Sequence, residues 1–310
     1  MSLPVLLRCP LMPVIQEKLE AGYDVHPVFD MADPKLEAIA GDIRAVVTGG
    51  HLGAPTDVME RLPNLEMVAI NGVGFDKVDL DMAKERSIRV SNTPDVLTAD
   101  VADLAIGLTL ALTRKITEGD SHVRSGAWLE GNIGLGRKFS GLRYGIFGLG
   151  RIGKAIARRL AGFDVEIAYC DIAEQPDSGF AYCSSAAALA AEVDVLIVAA
   201  AASGSTEKII GKTVLDALGK DGLLVNVARG SIVDEPALVQ AITSGSIAGA
   251  ALDVFADEPR VPAALIESDR VVLTPHIASG TVDTRLAMGN LMLANLEAFA
   301  AGKDLITPVV

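Results

Sequence analysis

The sequence predicts an α/β protein made of two parallel-sheet domains. Short apolar runs, among them residues 45–48 and 195–199, alternate with longer segments of helical character, which is the order typical of strand–helix–strand units. The alternation is interrupted around Pro94 and restarts after Leu142. Because a chain of 310 residues is also too long for one ordinary core, we expect two Rossmann-like, doubly wound domains.

The individual elements are predicted from apolar runs bounded by turn residues. The expected strands cover residues 5–7, 25–29, 45–48, 66–70 and 89–91, and then 144–147, 166–169, 195–199, 223–227, 250–252 and 271–273. Long helices are expected from Thr98 to about residue 119 and from Val282 to about residue 301. Residues 120–140 are rich in glycine and hold the only tryptophan, Trp128. We expect this segment to form an irregular arm.

Composition and charge exclude several classes of partner. Asp and Glu outnumber Lys and Arg, 40 to 27, and the net charge of −13 repels nucleic acid and anionic membrane surfaces. No apolar stretch is long and uncharged enough to span a bilayer. Cys9, Cys170 and Cys183 are odd in number and lack the spacing of a metal site. We therefore expect a cytoplasmic protein without a metal, which binds neither nucleic acid nor membranes.

A glycine-rich segment after the predicted strand at 144–147 indicates a dinucleotide site. Gly148, Gly150 and Gly153 form the pattern Gly-x-Gly-x-x-Gly where a strand meets a helix. There the first glycine permits the tight turn, the second lets the backbone approach a pyrophosphate, and the third lets the helix pack closely. The alternative is a purely structural turn. The dinucleotide is favoured because Asp171 lies just after the next predicted strand, near the spacing that reaches a ribose.

Asp171 also favours one form of the cofactor. A carboxylate at this position accepts a hydrogen bond from the free 2′-hydroxyl of NAD(H) and repels the 2′-phosphate of NADP(H). The next residue, Ile172, cannot pair with a phosphate. NAD(H) is therefore the expected cofactor and NADP(H) the less favoured one, and a solvated loop aspartate is the alternative interpretation.

Arg229, Glu258 and His276 each follow one of the last three predicted strands. Reduction of a 2-keto acid needs a cation for the carboxylate, an acid for the carbonyl oxygen and a partner that keeps this acid protonated. Arginine offers a two-pronged fork to a carboxylate, and a neighbouring carboxylate favours a protonated imidazole. Taken singly, each residue could be structural or solvated, and spacing alone does not choose Glu258 over Asp257.

Together these residues resemble the D-isomer-specific 2-hydroxyacid dehydrogenases, and the resemblance extends through essentially the whole chain. The segments that carry it are residues 92–98, 148–153, 226–234, 249–258 and 274–281, in the order of the family's signature blocks. Within the family, the chain is most similar to the hydroxypyruvate and glyoxylate reductases, including the hydroxyphenylpyruvate reductases.

The resemblance assigns roles to particular residues. It implies that Arg229 binds the substrate, that His276 is the general acid or base, and that Glu258 orients His276. The cofactor residues that it implies are Gly148, Gly150, Arg151, Ile152, Gly153, Asp171, Ala228 and Asp253. It also implies that the amides of Val73 and Gly74 hold the substrate carboxylate.

The resemblance further implies a domain organisation and an assembly. Residues 1–95 and 282–310 would form an interrupted substrate domain, and residues 96–281 an NAD-binding Rossmann domain. Members of the family are typically dimeric through the cofactor domain, so a homodimer is expected. In such a dimer Trp128 would reach the neighbouring subunit's site, with plain packing as the alternative.

The chain departs from its most similar branch at one position. Where members often carry Ser or Asn followed by Arg, this chain has Asp171-Ile172, which favours NAD(H) over the branch's usual NADPH. The expected function is an NAD(H)-dependent oxidoreductase that reduces small 2-keto acids, namely glyoxylate, hydroxypyruvate or aryl pyruvates, to D-2-hydroxy acids. The alternative is an NAD(H)-sensing, corepressor-like binding protein with little turnover, against which the intact Arg, Glu and His argue.

Overall fold

The computed structural model describes residues 2–310, which form two compact units. One unit comprises the chain up to Leu97 together with Thr281–Val310, and the other comprises Thr98–Gly280. Each is built on one parallel sheet, of five and seven strands respectively, and we call them the five-stranded and the seven-stranded unit. The expected α/β class with two parallel-sheet domains is confirmed. The assignment of a substrate role to residues 1–95 and 282–310, and of a cofactor role to all of 96–281, stays a prediction.

The five-stranded unit contains five strands and five helices among the described residues. Its strands are β1 (Pro4–Leu7), β2 (Asp24–Pro27), β3 (Ala45–Gly49), β4 (Met67–Asn71) and β5 (Arg89–Ser91). Its helices are α1 (Pro13–Gly22), α2 (Lys35–Ile39), α3 (Thr56–Glu60), α4 (Leu80–Glu85) and, from the end of the chain, α12 (Val282–Ala300).

Helices cover both faces of the five-stranded sheet. All strand pairs are parallel, in the order β2-β1-β3-β4-β5, which is a common doubly wound order with its switch point between β1 and β3. Side chains alternate between the faces: Leu6 and Val46 pack with α2, α3 and α4, whereas Val5 and Val47 pack with α1 and α12. Because both faces are buried, these strands are continuous apolar runs in the sequence.

The seven-stranded unit contains the remaining labelled elements. Its strands are β6 (Arg143–Phe147), β7 (Glu166–Cys170), β8 (Ala181–Tyr182), β9 (Val195–Val198), β10 (Leu223–Asn226), β11 (Gly249–Leu252) and β12 (Val271–Leu273). Its helices are α5 (Thr98–Thr113), α6 (Ile116–Arg124), α7 (Arg151–Leu160), α8 (Ala186–Glu192), α9 (Lys212–Leu218), α10 (Glu235–Ser244) and α11 (Ala263–Ile266).

The seven-stranded sheet has the topology of a dinucleotide-binding fold. Its strands are all parallel in the order β12-β11-β10-β9-β6-β7-β8, which is the Rossmann order extended by one strand. Helices α8, α9 and α10 bury one face, and α5 and α7 pack together on the other. The strand order reverses between β6 and β9, and sheets of this type bind ligands at that point.

The expected single helix from Thr98 to about residue 119 is wrong, because the structure has two helices there. Lys115 lies between α5 and α6 with a φ of +54°, which ends the regular hydrogen bonding. The carbonyl of Thr113 accepts a hydrogen bond from the N–H of Arg137 at 2.7 Å. This carbonyl at the end of α5 is therefore satisfied by the arm and not by a further turn of the helix. The arm itself is less irregular than expected, since α6 extends to Arg124 and a short 3₁₀ turn spans Ala127–Leu129.

Within residues 2–310, every helix is too short or too polar to cross a lipid bilayer.

Candidate active site

The glycine loop after β6 has the geometry that a dinucleotide requires. Gly148 has a φ of +96°, and a Cβ atom there would lie 2.4 Å from the Cα of Ala200. A Cβ at Gly153 would lie 2.1 Å from the carbonyl oxygen of Gly148, so neither position tolerates a side chain. Gly150 is exposed, and a Cβ there would meet no atom within 4 Å. The protein leaves the space over Gly150 open, as the close approach of a pyrophosphate requires.

Helix α7 begins directly after Gly150 and presents its N-terminus to this open space. No side chain caps its first turn, and the first turn holds no acidic residue. Uncapped N–H groups and the helix dipole favour an anion at such a position. Arg151 and Ile152, both expected at the pyrophosphate, are the first two residues of the helix. The loop and the start of α7 therefore fit a bound dinucleotide.

Asp171 follows β7 and is held toward the glycine loop. Its carboxylate accepts hydrogen bonds from the N–H groups of Leu149 at 2.9 Å and Ile172 at 2.7 Å, and from Nε2 of Gln175 at 3.2 Å. The N–H of Gln175 in turn donates to the hydroxyl of Tyr169 at 2.6 Å. A carboxylate has about four acceptor sites, so capacity for a ribose hydroxyl is left. Gln175 was not predicted, because its only signal is an amide side chain four positions after Asp171.

Arg229, Glu258 and His276 lie in loops that follow three neighbouring strands, β10, β11 and β12. The carboxyl ends of parallel strands share one edge of the sheet. His276 Nδ1 and Glu258 Oε2 are 2.7 Å apart, which is hydrogen-bond distance. Since Nδ1 is occupied, Nε2 is the ring atom left to exchange a proton with a ligand.

The structure also distinguishes the two acidic candidates in the loop after β11. Asp257 forms two hydrogen bonds with the guanidinium of Arg260, at 2.7 and 2.8 Å, and both side chains are exposed. Glu258 is three-quarters buried and is the carboxylate beside His276. Spacing alone does not distinguish Asp257 from Glu258. Their burial and their hydrogen-bond partners favour Glu258 as the residue that orients His276.

The pKa of Glu258 lies below its ordinary value. Burial alone would raise it, but this effect is outweighed by the hydrogen bonds from His276 and from the N–H of Phe255, together with the charges of His276 and Arg229. The Phe255 bond measures 3.1 Å to Oε1. Glu258 therefore stays ionised to a lower pH than an ordinary glutamate does.

Asp253 anchors the loop that carries His276. It is fully buried, and its carboxylate accepts hydrogen bonds from the Thr274 hydroxyl at 2.7 Å and from the N–H groups of Ile277 at 2.8 Å and Ala278 at 2.9 Å. The backbone of His276 has a φ of +53°, a conformation that costs energy for a non-glycine residue and persists only where its surroundings impose it. The expected cofactor contact of Asp253 stays a prediction, and its anchoring role was not predicted.

Arg229 projects from a turn that its neighbours fix. Asn226 accepts a hydrogen bond from the N–H of Ala228 and donates one to the carbonyl of Arg229, both at 3.0 Å. A Cβ at Gly230 would lie 1.9 Å from the carbonyl carbon of Phe255, so the chain after Arg229 packs directly on the loop that leads to Glu258. The guanidinium is partly buried and bonds the carbonyl of Ala228 through Nη1 at 2.8 Å.

The loop after β4, in the five-stranded unit, presents backbone groups of its own. Val73 and Gly74 follow β4, and no oxygen among residues 2–310 accepts a hydrogen bond from their N–H groups. Asn92 and Thr93 hold this loop, through bonds of 2.8 Å to the carbonyls of Val73 and Gly72. Free, fixed N–H groups of this kind make a concave site for an anion.

Other expected features lie outside this group of residues. Trp128 is 62% exposed and donates from Nε1 to Asn132 at 3.0 Å, so plain packing does not account for it. Within the described residues, no group of three or more His, Cys, Asp or Glu side chains is placed to hold a metal ion.

Comparison with known proteins places the chain in a family. The family model of the D-isomer specific 2-hydroxyacid dehydrogenase NAD binding domain matches residues 106–278. A glyoxylate/hydroxypyruvate reductase A of Arabidopsis thaliana is 47% identical over 311 aligned residues, covering 100% of this chain and 99% of the relative. A hydroxyphenylpyruvate reductase of Plectranthus scutellarioides is 46% identical with the same coverage.

A solved structure supports the same placement. The NADPH-dependent glyoxylate/hydroxypyruvate reductase of Sinorhizobium meliloti, in complex with NADP and malonate, is 41% identical and superimposes with a TM-score of 0.93, covering 100% of this chain and 97% of that one. The expected resemblance to this family, and to its glyoxylate, hydroxypyruvate and hydroxyphenylpyruvate reductases, is confirmed.

Proposed function

Because this chain belongs to the D-isomer specific 2-hydroxyacid dehydrogenase family and is an oxidoreductase, we propose that it reduces small 2-keto acids to D-2-hydroxy acids with NADH. The observation that carries the proposal is the 2.7 Å contact between His276 Nδ1 and Glu258 Oε2. Such a pair holds the imidazole by Nδ1 and leaves Nε2 free to exchange a proton. A bound nicotinamide coenzyme supplies the hydride.

Each proposed role follows from the chemistry of the side chain. Nε2 of His276 donates a proton to the carbonyl oxygen as it becomes an alcohol, and takes it back in the reverse direction. Glu258 holds the ring by Nδ1 and offsets its positive charge. Arg229 binds the substrate through its two-pronged guanidinium, and the N–H groups of Val73 and Gly74 receive the substrate carboxylate.

The proposed substrates are glyoxylate, hydroxypyruvate and aryl pyruvates, which are the classes named for the similar reductases. The test measures NADH and NADPH oxidation side by side with each keto acid. Reduction of at least one of them above background is expected, with Arg229→Ala lowering kcat/KM by about 10- to 100-fold. Arg260→Ala serves as the matched control, since Arg260 is exposed and pairs only with Asp257 among the described side chains. Cofactor binding without reduction of any keto acid would contradict the proposal.

NAD(H) is the proposed cofactor because of Asp171. Its carboxylate is fixed beside the glycine loop, and the following residue, Ile172, is 97% exposed and uncharged. A 2′-phosphate would meet a negative charge there without a compensating cation from Ile172. The Sinorhizobium meliloti relative binds NADP, so the two cofactors must be compared directly. A strong preference for NADPH would contradict this part of the proposal.

The proposed assembly is a homodimer through the seven-stranded unit. Several large apolar side chains between residues 116 and 135 are exposed, namely Ile116, Val123, Trp128, Leu129 and Leu135. Exposed apolar groups at this density indicate an interaction surface. Sedimentation should give twice the monomer mass, and the variant Leu129→Asp/Leu135→Asp should shift the protein toward the monomer. A monomeric wild-type protein would contradict the assembly and leave the proposed chemistry intact.

A further inference from the structure

The segment after α12 covers the open edge of the five-stranded sheet. β5 is the last strand in the order of that sheet, and residues 307–310, which we call the edge segment, lie antiparallel to it. The carbonyl of Val90 accepts a hydrogen bond from the N–H of Val309 at 2.7 Å, and the N–H of Val90 donates one to the carbonyl of Val310 at 3.1 Å. Pairing of this kind protects an exposed strand edge, and backbone groups are sufficient for it.

Thr307, the first residue of the edge segment, adds side-chain contacts that edge pairing does not need. Its hydroxyl donates a hydrogen bond to the carbonyl of Asn92 at 2.6 Å and accepts one from Nδ2 of Asn295 at 2.8 Å. Asn92 follows β5 directly, at the carboxyl end of the sheet. The hydroxyl of Thr307 therefore connects α12 to the loop that follows β5.

Asn295 fixes the position of Thr307. It lies in α12 and is fully buried, and its Oδ1 atom accepts a hydrogen bond from the N–H of Thr307 at 3.0 Å. Its Nδ2 atom donates to the carbonyl of Leu291 at 2.9 Å as well as to the Thr307 hydroxyl, so both donors and the oxygen of this amide are used. A buried polar network in which the members have partners is rigid and specifies one arrangement.

The loop after β5 in turn holds the loop after β4. Nδ2 of Asn92 donates to the carbonyl of Val73 at 2.8 Å. The N–H of Thr93 donates to the carbonyl of Gly72, also at 2.8 Å. A peptide unit is planar and trans, so the carbonyl of one residue and the N–H of the next lie in one plane and point in opposite directions. The bond to the Gly72 carbonyl therefore fixes the N–H of Val73, and the bond to the Val73 carbonyl fixes the N–H of Gly74.

The same rule extends the chain of contacts to Thr307. The carbonyl of Asn92, which accepts from the Thr307 hydroxyl, belongs to the peptide unit whose N–H is that of Thr93. Thr307 thus fixes the N–H that holds the Gly72 carbonyl, and through it the N–H of Val73. Two planar peptide units in series transmit the position of one hydroxyl to a group that is proposed to bind the substrate.

We propose that Thr307, held by Asn295, is a positioning residue for substrate binding, which sets the direction of the Val73 N–H toward the substrate carboxylate. The inference rests on the proposed function, because it needs a carboxylate on the N–H groups of Val73 and Gly74. All 2-keto acids share this carboxylate, so loss of the Thr307 hydroxyl weakens the binding of each of them by the same factor. The proton transfer proposed for His276 does not involve this loop, so kcat changes little.

The experiment replaces the hydroxyl of Thr307 by a methyl group of similar size. In Thr307→Val we expect KM for glyoxylate, hydroxypyruvate and phenylpyruvate to rise by one common factor of about 2- to 10-fold, the equivalent of one neutral hydrogen bond, with kcat changed by less than about twofold. Thr307→Ser keeps the hydroxyl and should retain a KM near the wild-type value. Thr307→Ala removes the same hydroxyl with a smaller side chain and should repeat the effect of the valine.

A matched control and a binding measurement complete the test. Thr56→Val makes the same replacement in the same unit, at an exposed residue whose hydroxyl donates to Asp79 at 2.6 Å, and it should leave every KM unchanged. Calorimetric titration of oxamate, a non-reacting analogue of a 2-keto acid, into the NADH-saturated protein measures binding without turnover. We expect Thr307→Val to raise the Kd of oxamate by the same factor as KM. The melting temperature of each variant reports any loss of stability separately.

The outcomes separate this inference from the proposed function. If the wild type reduces keto acids and Thr307→Val lowers only the melting temperature, the hydroxyl is structural, the inference is overturned and the proposed function stands. A rise in KM confined to one keto acid would assign Thr307 to side-chain binding and overturn the inference as well. If no keto acid is reduced with either coenzyme, the proposed function fails and the oxamate titration decides. Weaker oxamate binding in Thr307→Val then supports the inference, and equal binding or no binding overturns it.

Discussion

The two sheets present different chemistry at their carboxyl ends. The seven-stranded sheet presents ionisable side chains, with the imidazole of His276 held by Glu258 at 2.7 Å. The loop after β4 in the five-stranded sheet presents backbone N–H groups, at Val73 and Gly74. One unit therefore offers groups that exchange protons and carry charge, and the other offers fixed dipoles.

This difference determines how each region responds to substitution. Replacing His276 removes the atom that is proposed to exchange the proton, so the proposed transfer is lost. Replacing Val73 leaves its N–H in place, because every residue except proline carries that group. The carboxylate binding proposed for the loop after β4 is accessible to mutation only through the side chains that hold the loop, such as Asn92.

The largest expected effect belongs to His276. His276→Ala removes the proposed proton donor, and general acid catalysis by a positioned side chain contributes about 10² to 10⁴ in rate, so kcat should fall by that factor. The measurement is NADH oxidation at saturating keto acid. His26→Ala is the matched control and should keep wild-type kcat. His26 lies in the five-stranded unit, where its Nε2 atom is 3.3 Å from Oδ2 of Asp24. A His276→Ala enzyme with near-normal kcat would contradict the proposed role.

The second effect concerns the buried anchor of the His276 loop. Asp253→Ala leaves three donors without their acceptor, which should lower the free energy of unfolding by at least about 3 kcal/mol and reduce kcat through the displaced imidazole. Asp79→Ala removes a partly exposed helix cap that accepts from the N–H of Met82 at 2.9 Å, and its effect on unfolding should be smaller. Urea denaturation measures the free energy of unfolding of both variants. An equal loss of this free energy in Asp253→Ala and Asp79→Ala would contradict the anchoring role of Asp253.

The sequence was sufficient for the features that depend on neighbours along the chain. Strand positions followed from apolar runs, and the glycine loop followed from a fixed spacing between a strand and a helix. The break at Lys115 could not be predicted, because neither proline nor glycine lies between the two helices. The two-residue strand β8 was too short for a pattern to appear.

Contacts between distant segments explain the parts of the candidate site that were not predicted. Asp253 accepts from Thr274, 21 positions later, and nothing at either position indicates the other. The geometry of Glu258 and His276 likewise depends on β11 and β12 being neighbours.

The third effect tests the backbone site of the five-stranded unit. Asn92→Ala removes the 2.8 Å bond to the carbonyl of Val73, so the two N–H groups lose a support that fixes their direction. The loss of one neutral hydrogen bond changes an equilibrium constant by about 2- to 10-fold. We expect KM for the keto acid to rise by that factor, with a smaller change in kcat. Asn290→Ala, which removes an exposed contact to Lys18, is the control. A fall in kcat with unchanged KM would instead assign Asn92 to the chemical step.

The smallest effect is a pH dependence of stability at Glu258 in the seven-stranded unit. The pKa of Glu258 is lower in the folded protein than in the unfolded chain, so its ionised form contributes stability above the unfolded value of about 4.3. That contribution disappears as the pH falls through the lower folded value. The difference in melting temperature between the wild type and Glu258→Gln should therefore be constant from pH 6 to about 5 and shrink toward pH 3. Glu85→Gln, at an exposed position of α4, provides the baseline, and a Glu258→Gln difference that grows on acidification would show that the carboxylate is not stabilised by its folded surroundings.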